Sequence, residues 1–208
     1  MNPDLSIAIL AGGASRRMGR DKTTLDWHGR PLLVRAVEIA RAAGAASVAI
    51  AGSSAIISCT PLHDAVRDRG PLGGIIAALR WQPRVLVLAC DMPLVSPEFL
   101  IWLWQRARDF PGWTVPGAQP LCSVYTAALL PWLEAAAARP PAPGARSLTA
   151  ILNGAPRQCV APEEMSAHGF DPRMFANLNT PAEYAEALIP AGPGAALPHA
   201  SRDGGANA

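Results

Sequence analysis

Leu10-Ala11-Gly12-Gly13-Ala14-Ser15-Arg16-Arg17-Met18-Gly19-Arg20-Asp21-Lys22 follows directly on the apolar run Ile7-Ala8-Ile9. This is a buried strand that empties into a glycine-rich turn crowded with positive charge. The glycines permit unusual backbone angles and the close approach of a ligand. The exposed amides of such a turn form a concave anion site. Arg16, Arg17, Arg20 and Lys22 suit an anionic ligand, and a nucleoside triphosphate is the simplest candidate. From the glycines alone, a basic surface turn between a strand and a helix is the competing reading. A dinucleotide fingerprint needs Gly-x-Gly-x-x-Gly, but the glycines stand at 12, 13 and 19. A P-loop needs Gly-Lys-Ser/Thr, but Gly19 is followed by Arg20 and Asp21.

Outward from that turn the first half of the chain alternates strands and helices. Ser6 to Leu10 reads as the first strand. Leu33, Ala36, Val37 and Ala40 fall at helical spacing after Pro31 and before Gly44. Ser47 to Ala51 is a short apolar strand. Leu72, Ile75, Ile76 and Leu79 mark a helix after Pro71. Arg84 to Ala89 holds Val85-Leu86-Val87-Leu88, a run expected of a strand covered on both faces. Ser96 caps the next helix, with Pro97 in its first turn and Glu98 favourable to the dipole. This rhythm predicts a mainly parallel sheet flanked by helices. Right-handed crossovers bring the ends of the first and third of these strands to one edge of the sheet.

The second half is less regular. Pro120 to Tyr125 reads as a strand, Leu129 to Ala138 as a helix and Pro140 to Gly144 as a loop. Ser147 to Leu152 reads as a short helix and Gln158 to Val160 as a short strand. Thr180, Pro181 and Glu183 make a capping-box start to a last helix reaching about Leu188. Residues 1–189 are expected to form one folded domain, and 190–208, rich in Gly, Pro and Ala, a disordered tail.

Composition narrows the function classes. With 208 residues, 50% of them hydrophobic, the chain has enough for one substantial core. A net charge of +2, concentrated in one turn, argues against a general nucleic-acid binder. Cys59, Cys90, Cys122 and Cys159 are far apart, which suggests neither a zinc cluster nor a disulfide framework. His28, His63, His168 and His199 have no metal-ligand spacing. The start lacks the basic and apolar parts of a signal peptide, and no apolar stretch is long enough to span a bilayer. The expectation is a soluble cytoplasmic protein.

Two further segments carry candidate chemistry. Cys90-Asp91-Met92-Pro93 follows the apolar strand ending at Ala89, and ligands of open parallel sheets collect at the carboxyl ends of strands. Asp91 is placed to hold a hard divalent cation such as Mg²⁺ against phosphates. Capping of a turn before Pro93 is the competing reading. In Asp68-Arg69-Gly70-Pro71-Leu72-Gly73-Gly74, the two helical glycines each cost roughly 1 kcal/mol relative to alanine. A ligand or a neighbouring backbone passing closely explains that cost, and so does helix packing.

The string Leu10-Ala11-Gly12-Gly13, Arg17-Met18-Gly19 and Asp21-Lys22 resembles the opening signature of the molybdenum cofactor guanylyltransferases, nucleotidyltransferases of the nucleotide-diphospho-sugar transferase fold. The related cytidylyltransferases carry Leu-Ala-Ala-Gly, so Gly12 leans toward guanine. The resemblance extends in five segments from Leu10 to about Leu188. It implies a single Rossmann-like, three-layer α/β domain with a mainly parallel central sheet. It implies that Leu10, Ala11, Gly12, Gly13 and Lys22 bind the nucleotide, that Asp91 binds metal, and that Lys22, Arg17 and Asp91 are catalytic. Asp68 matches the family's nucleotide-binding aspartate upstream of Gly-Pro. Ser53, within Gly52-Ser53-Ser54, stands where many relatives place a base-contacting asparagine, and serine reaches less far. Gln119 to Tyr125 resembles a strand near the acceptor side. Asn177 and Asn179, in Asn-Leu-Asn-Thr-Pro, are implied to lie near the active centre, with Arg16 close to phosphate.

The activity so implied is transfer of GMP from GTP to the terminal phosphate of molybdopterin-bound molybdenum, with Mg²⁺ as cofactor and pyrophosphate released. Its implied partners are GTP, the molybdopterin cofactor, and molybdoenzymes that insert or accept the product, with no nucleic acid and no membrane. A related enzyme using CTP or another phosphorylated acceptor is the nearest rival. A non-catalytic module that binds nucleotide or cofactor, and a scaffold protein, are rivals of other classes.

Overall fold

The computed structural model describes residues 2–11, 22–52, 58–64, 66, 69–139 and 148–175. In chain order its elements are β1 (Asn2–Leu10), the hairpin β2 (Asp26–Trp27) and β3 (Arg30–Pro31), α1 (Leu32–Ala42), β4 (Ala45–Ala51), β5 (Thr60–Leu62), α2 (Pro71–Trp81) and β6 (Arg84–Ala89). There follow α3 (Pro97–Arg106), β7 (Trp113–Pro116), β8 (Cys122–Thr126), α4 (Leu130–Ala138), α5 (Leu148–Leu152), β9 (Arg157–Val160) and α6 (Pro162–Ala167).

Seven strands form one sheet in the order β5-β4-β1-β6-β8-β7-β9. β5, β4, β1 and β6 are parallel neighbours, and β9 is parallel to β7. β8 alone runs against its neighbours β6 and β7. The expected mainly parallel sheet is therefore present, with β1 and β6 adjacent and Leu10 paired with Ala89.

Strand alternation builds two cores from one sheet, because successive side chains point to opposite faces. Ile7, Ile9, Leu86 and Leu88 face a layer that includes Leu33, Ala36 and Val37 of α1, Phe99 and Leu103 of α3, and Met165 of α6. Ala8, Leu10, Val85 and Val87 face the other layer, built from Leu72, Ile75 and Ile76 of α2, Leu133 of α4 and Leu152 of α5. Both faces of β1 and β6 are covered, which explains their unbroken apolar runs. Each fully buried Leu, Ile or Val contributes about 1.5–3 kcal/mol relative to exposure.

The helix starts follow local rules. The Phe99 amide donates to Ser96 Oγ at 3.2 Å, the expected N-cap of α3. α2 starts at Pro71 behind Gly70, whose φ of 55° is left-handed and suits a residue without a β-carbon. The β2–β3 hairpin turns at His28 and Gly29, both at positive φ, and Asp26 Oδ1 accepts from the Gly29 amide at 2.9 Å.

Several elements differ from the sequence reading. β1 begins at Asn2, with a register irregularity before Ser6. β5, β7, α6 and the hairpin were not expected. β5 has three residues and holds Pro61, and β7 ends on Pro116, so each lacks a readable alternation. β8 starts at Cys122 and not at Pro120, because Gln119 to Leu121 form a turn closed by Gln119 N to Pro116 O (3.1 Å) and Cys122 N to Gln119 O (3.3 Å). The expected loop at 140–144, the last helix from Thr180 and the tail at 190–208 lie outside the described residues.

Candidate active site

Backbone hydrogen bonds join the carboxyl ends of the parallel strands into one edge. The Gly52 amide donates to Leu62 O at 3.4 Å, and the Ala11 amide to Ala51 O at 2.8 Å. The Cys90 amide donates to Leu10 O at 3.2 Å, and the Ala89 amide to Leu121 O at 2.8 Å. The chain continuing from Ala11 and the chain continuing from Cys90 therefore leave the sheet side by side. The strand end at Ala11, from which the glycine-rich stretch continues in sequence, and the acidic strand tip at Asp91 belong to this one edge, where ligands of open α/β sheets collect.

Asp91 is half-buried, between Cys90, 6% exposed, and Met92, 1% exposed. These anchors, with Val95 also in the core, fasten the tip to the sheet. The Val95 amide closes the turn onto Met92 O at 3.4 Å, and Arg35 Nε of α1 donates to Pro93 O at 3.4 Å. The aspartate thus rides on a turn packed at both ends, one residue beyond the bond from Cys90 to Leu10.

A second carboxylate reaches this edge, and the sequence reading passed over it. Asp64 follows β5 by two residues. A β-carbon at Gly74 would lie 2.8 Å from Leu10 Cδ2, 3.3 Å from Ala51 Cβ and 3.6 Å from Asp64 Oδ1. Asp64 therefore stands beside the ends of β1 and β4. Partial burial raises its carboxyl above the ordinary value. The signal was available, since Asp64 follows a short strand just as Asp91 does, but Thr60-Pro61-Leu62 was not recognised as one.

The two α2 glycines owe their presence to packing. A β-carbon at Gly73 would lie 2.5 Å from the Val66 carbonyl oxygen. A neighbouring backbone passes closely at Gly73, and at Gly74 the neighbours are the side chains of Leu10, Ala51 and Asp64. α2 thereby seats tightly against the segment that holds Asp64 and Val66. Arg69 Nη2 donates to Ala137 O at 2.7 Å and also to Arg139 O, joining the approach to α2 to the carboxyl end of α4.

Of the expected site residues, Leu10, Ala11 and Asp91 meet at the edge just described. Lys22 opens a one-turn 3-10 helix, Lys22–Thr24, and its side chain lies outside the described residues. Gly12, Gly13, Arg16, Arg17, Ser53, Asp68, Asn177 and Asn179 also lie outside them. All four cysteines are free thiols. No helix among the described residues is long and apolar enough to cross a membrane.

Comparison with known proteins agrees with this architecture. The family model described as a MobA-like NTP transferase domain matches residues 7–158. A molybdenum cofactor guanylyltransferase from Xanthomonas euvesicatoria is 42% identical over 95 residues, covering 44% of this chain and 49% of that protein. One from Pseudomonas putida is 36% identical over 178 residues, covering 72% of this chain and 83% of that protein. The crystal structure of molybdopterin-guanine dinucleotide biosynthesis protein A from Archaeoglobus fulgidus superposes with a TM-score of 0.74 at 23% identity, over 88% of this chain and 97% of the other, a likeness of fold. A family match spanning most of the chain, on a sheet where the strand ends at Leu10 and Cys90 are joined, identifies the chain as a member of the MobA-like NTP transferase family.

Proposed function

We propose that the chain transfers the guanylyl group of GTP to the terminal phosphate of molybdopterin-bound molybdenum, forming the guanine dinucleotide cofactor and pyrophosphate. The observation that carries this reading is the Cys90 amide bonded to Leu10 O, which sets the roots of the cationic loop and of Asp91 at adjoining strand tips. The relatives named molybdenum cofactor guanylyltransferase supply the donor and the acceptor.

In the transfer, an oxygen of the acceptor phosphate attacks the α-phosphorus of GTP. The bond from that phosphorus to the β-phosphate bridge breaks, and pyrophosphate leaves with its electrons. The acceptor is already an anion, so a strong general base is not required. The obstacle is the approach of two polyanions, and positioning with charge stabilisation dominates such reactions. Lys22 and Arg17 neutralise charge developing in the transition state. Amides from Ala11 to Gly13, with Leu10, hold the nucleotide phosphates. Ser53 is assigned to the base, and Asp64 or Asp68 to the nucleoside. Arg16, Asn177 and Asn179 are assigned to the acceptor phosphate.

Enzymes of this family generally use a divalent metal. Among the described residues no group of three or more His, Cys, Asp or Glu gathers to hold one. A half-buried oxygen ligand at a strand tip nevertheless fits Mg²⁺, which is commonly held by one or two carboxylates plus substrate phosphates. Asp91 would hold it, and the bound ion would supply positive charge against the triphosphate. A cytoplasmic site of action goes with this reading, as does delivery of the product to molybdoenzymes or to proteins that insert the cofactor into them.

The test is pyrophosphate release from GTP and from CTP in Mg²⁺, with molybdopterin cofactor added or withheld. The expected result is release that needs both GTP and the cofactor. The CTP arm matters because Ser53 stands where relatives place asparagine. Release from CTP alone reassigns the donor. Binding of GTP without release under any condition overturns the enzyme in favour of a binding module.

A further inference from the structure

Three hydroxyls on β8 make side chain to backbone bonds, and two of them point to one place. Ser123 Oγ donates to Gln119 O at 2.8 Å, and Tyr125 Oη donates to Pro120 O at 2.7 Å. Both residues are 0% exposed. Burial pushes the Tyr125 hydroxyl well above its ordinary range, so it stays protonated and donates. The third hydroxyl, Thr126 Oγ1, donates to Gly112 O at 3.1 Å, at the opposite end of β8 from the Gln119–Leu121 turn.

The turn receiving the first two bonds is the one whose Leu121 carbonyl accepts the Ala89 amide, two residues before Asp91. β6 therefore has β1 on one side and β8 with the Gln119–Leu121 turn on the other, and Asp91 follows at its tip. Phenylalanine at 125 and alanine at 123 would occupy the same apolar layer. The hydroxyls add fixed bonds to two consecutive carbonyls of a turn at the reaction edge. A wall held in this way stands ready for a ligand without rearranging, which is how positioning groups act.

We infer that Ser123 and Tyr125 are positioning residues for the acceptor: their hydroxyls lock the Gln119–Leu121 turn as the wall against which the phosphorylated acceptor is aligned beside Asp91. The inference rests on the guanylyltransferase reading. It goes beyond that reading in naming buried groups that touch neither substrate.

The experiment compares Ser123→Ala, Tyr125→Phe and Thr126→Val in the full chain. It measures KM for GTP, KM for the molybdopterin cofactor, kcat and thermal unfolding for each. The expected result is an acceptor KM raised on the order of tenfold in Ser123→Ala and Tyr125→Phe. KM for GTP stays within about twofold of wild type in both. Thr126→Val, which removes a bond outside the turn, leaves both KM values unchanged whatever it does to unfolding. If Tyr125→Phe fails to fold, Ser123→Ala carries the test alone. An acceptor KM equal to wild type in the folded variants overturns the inference, and so does a parallel rise of both KM values. A wild-type chain that releases no pyrophosphate from GTP with the cofactor present overturns the guanylyltransferase reading and this inference with it.

Discussion

The amide of Cys90 donates to the carbonyl of Leu10 across 3.2 Å, joining the ends of two parallel strands from distant parts of the chain. One residue beyond each partner the backbone leaves the sheet, toward the cationic loop on one side and to Asp91 on the other. The strand end that leads into the cationic loop and the strand end that carries Asp91 are thereby joined by backbone alone.

Asp91 is the carboxylate at the tip of β6, and its removal leaves the two core contacts of its turn, Cys90 and Met92, in place. Asp91→Ala is expected to lower kcat for pyrophosphate release by about two to three orders of magnitude, the size seen when one stabilising group is lost. Its far-ultraviolet circular dichroism should match wild type. A chelator should silence the wild-type enzyme, with Mg²⁺ restoring it. Near-normal turnover of Asp91→Ala in Mg²⁺ would remove the aspartate from the mechanism.

Lys22 supplies charge to the triphosphate in the proposed transfer. Lys22→Met keeps the length of the side chain and loses the ammonium. It is expected to reduce kcat/KM by about two to three orders of magnitude, with kcat carrying most of the loss if the contact strengthens in the transition state. Steady-state kinetics at saturating cofactor separates the two parameters. A change confined to KM for GTP would make Lys22 a binding residue only.

Gly73 and Gly74 should respond unequally to alanine. At Gly73 the new methyl meets the Val66 carbonyl at 2.5 Å, and backbone cannot easily give. At Gly74 the nearest atom is Leu10 Cδ2, the end of a flexible side chain, at 2.8 Å. Overpacking costs about 1–3 kcal/mol, against roughly 1 kcal/mol gained in helix propensity. Urea unfolding should therefore find Gly73→Ala clearly less stable than wild type and Gly74→Ala close to it. Equal stability of the two variants would contradict the packing.

Asp64 gives a prediction in pH. Its folded carboxyl titrates above the ordinary 3.8 because burial penalises the charge. Between the unfolded and the folded values the native state holds the extra proton, so stability falls as pH rises through that window. Asp64→Asn lacks this loss. Relative to wild type, its midpoint of unfolding should be higher at pH 7 than the same comparison shows at pH 3. If Asp64 also binds the nucleoside, KM for GTP should rise in the same variant. A stability difference independent of pH would show that the buried charge carries no penalty.

Much of the architecture was readable because its causes are local. Arg84 to Ala89 reads as a strand from Val85-Leu86-Val87-Leu88 alone, and Ser96-Pro97-Glu98 announces α3, because alternation and capping act over a few residues. β7 was invisible for the opposite reason. Trp113 to Pro116 is four residues long and ends in proline, and it exists as a strand because β8 and β9 flank it. The same holds for β5, and missing β5 meant missing Asp64 at its end. Asp68, chosen for its place before Gly-Pro, lies outside the described residues, while Asp64 lies at the edge.

The chain's own residues determined the chemistry on offer: a glycine-rich cationic turn behind an apolar strand, and an aspartate behind another. They also determined the alternation of strand and helix, since propensity, capping and burial pattern are properties of neighbours in sequence. Which strand tips lie together was decided only by the tertiary structure. Strand order follows from covering both faces of β1 and β6 at once, a condition met by helices and strands remote in sequence. From that order come the meeting of Leu10 with Cys90, the approach of Asp64 to Gly74, and the turn at Leu121 beside Asp91.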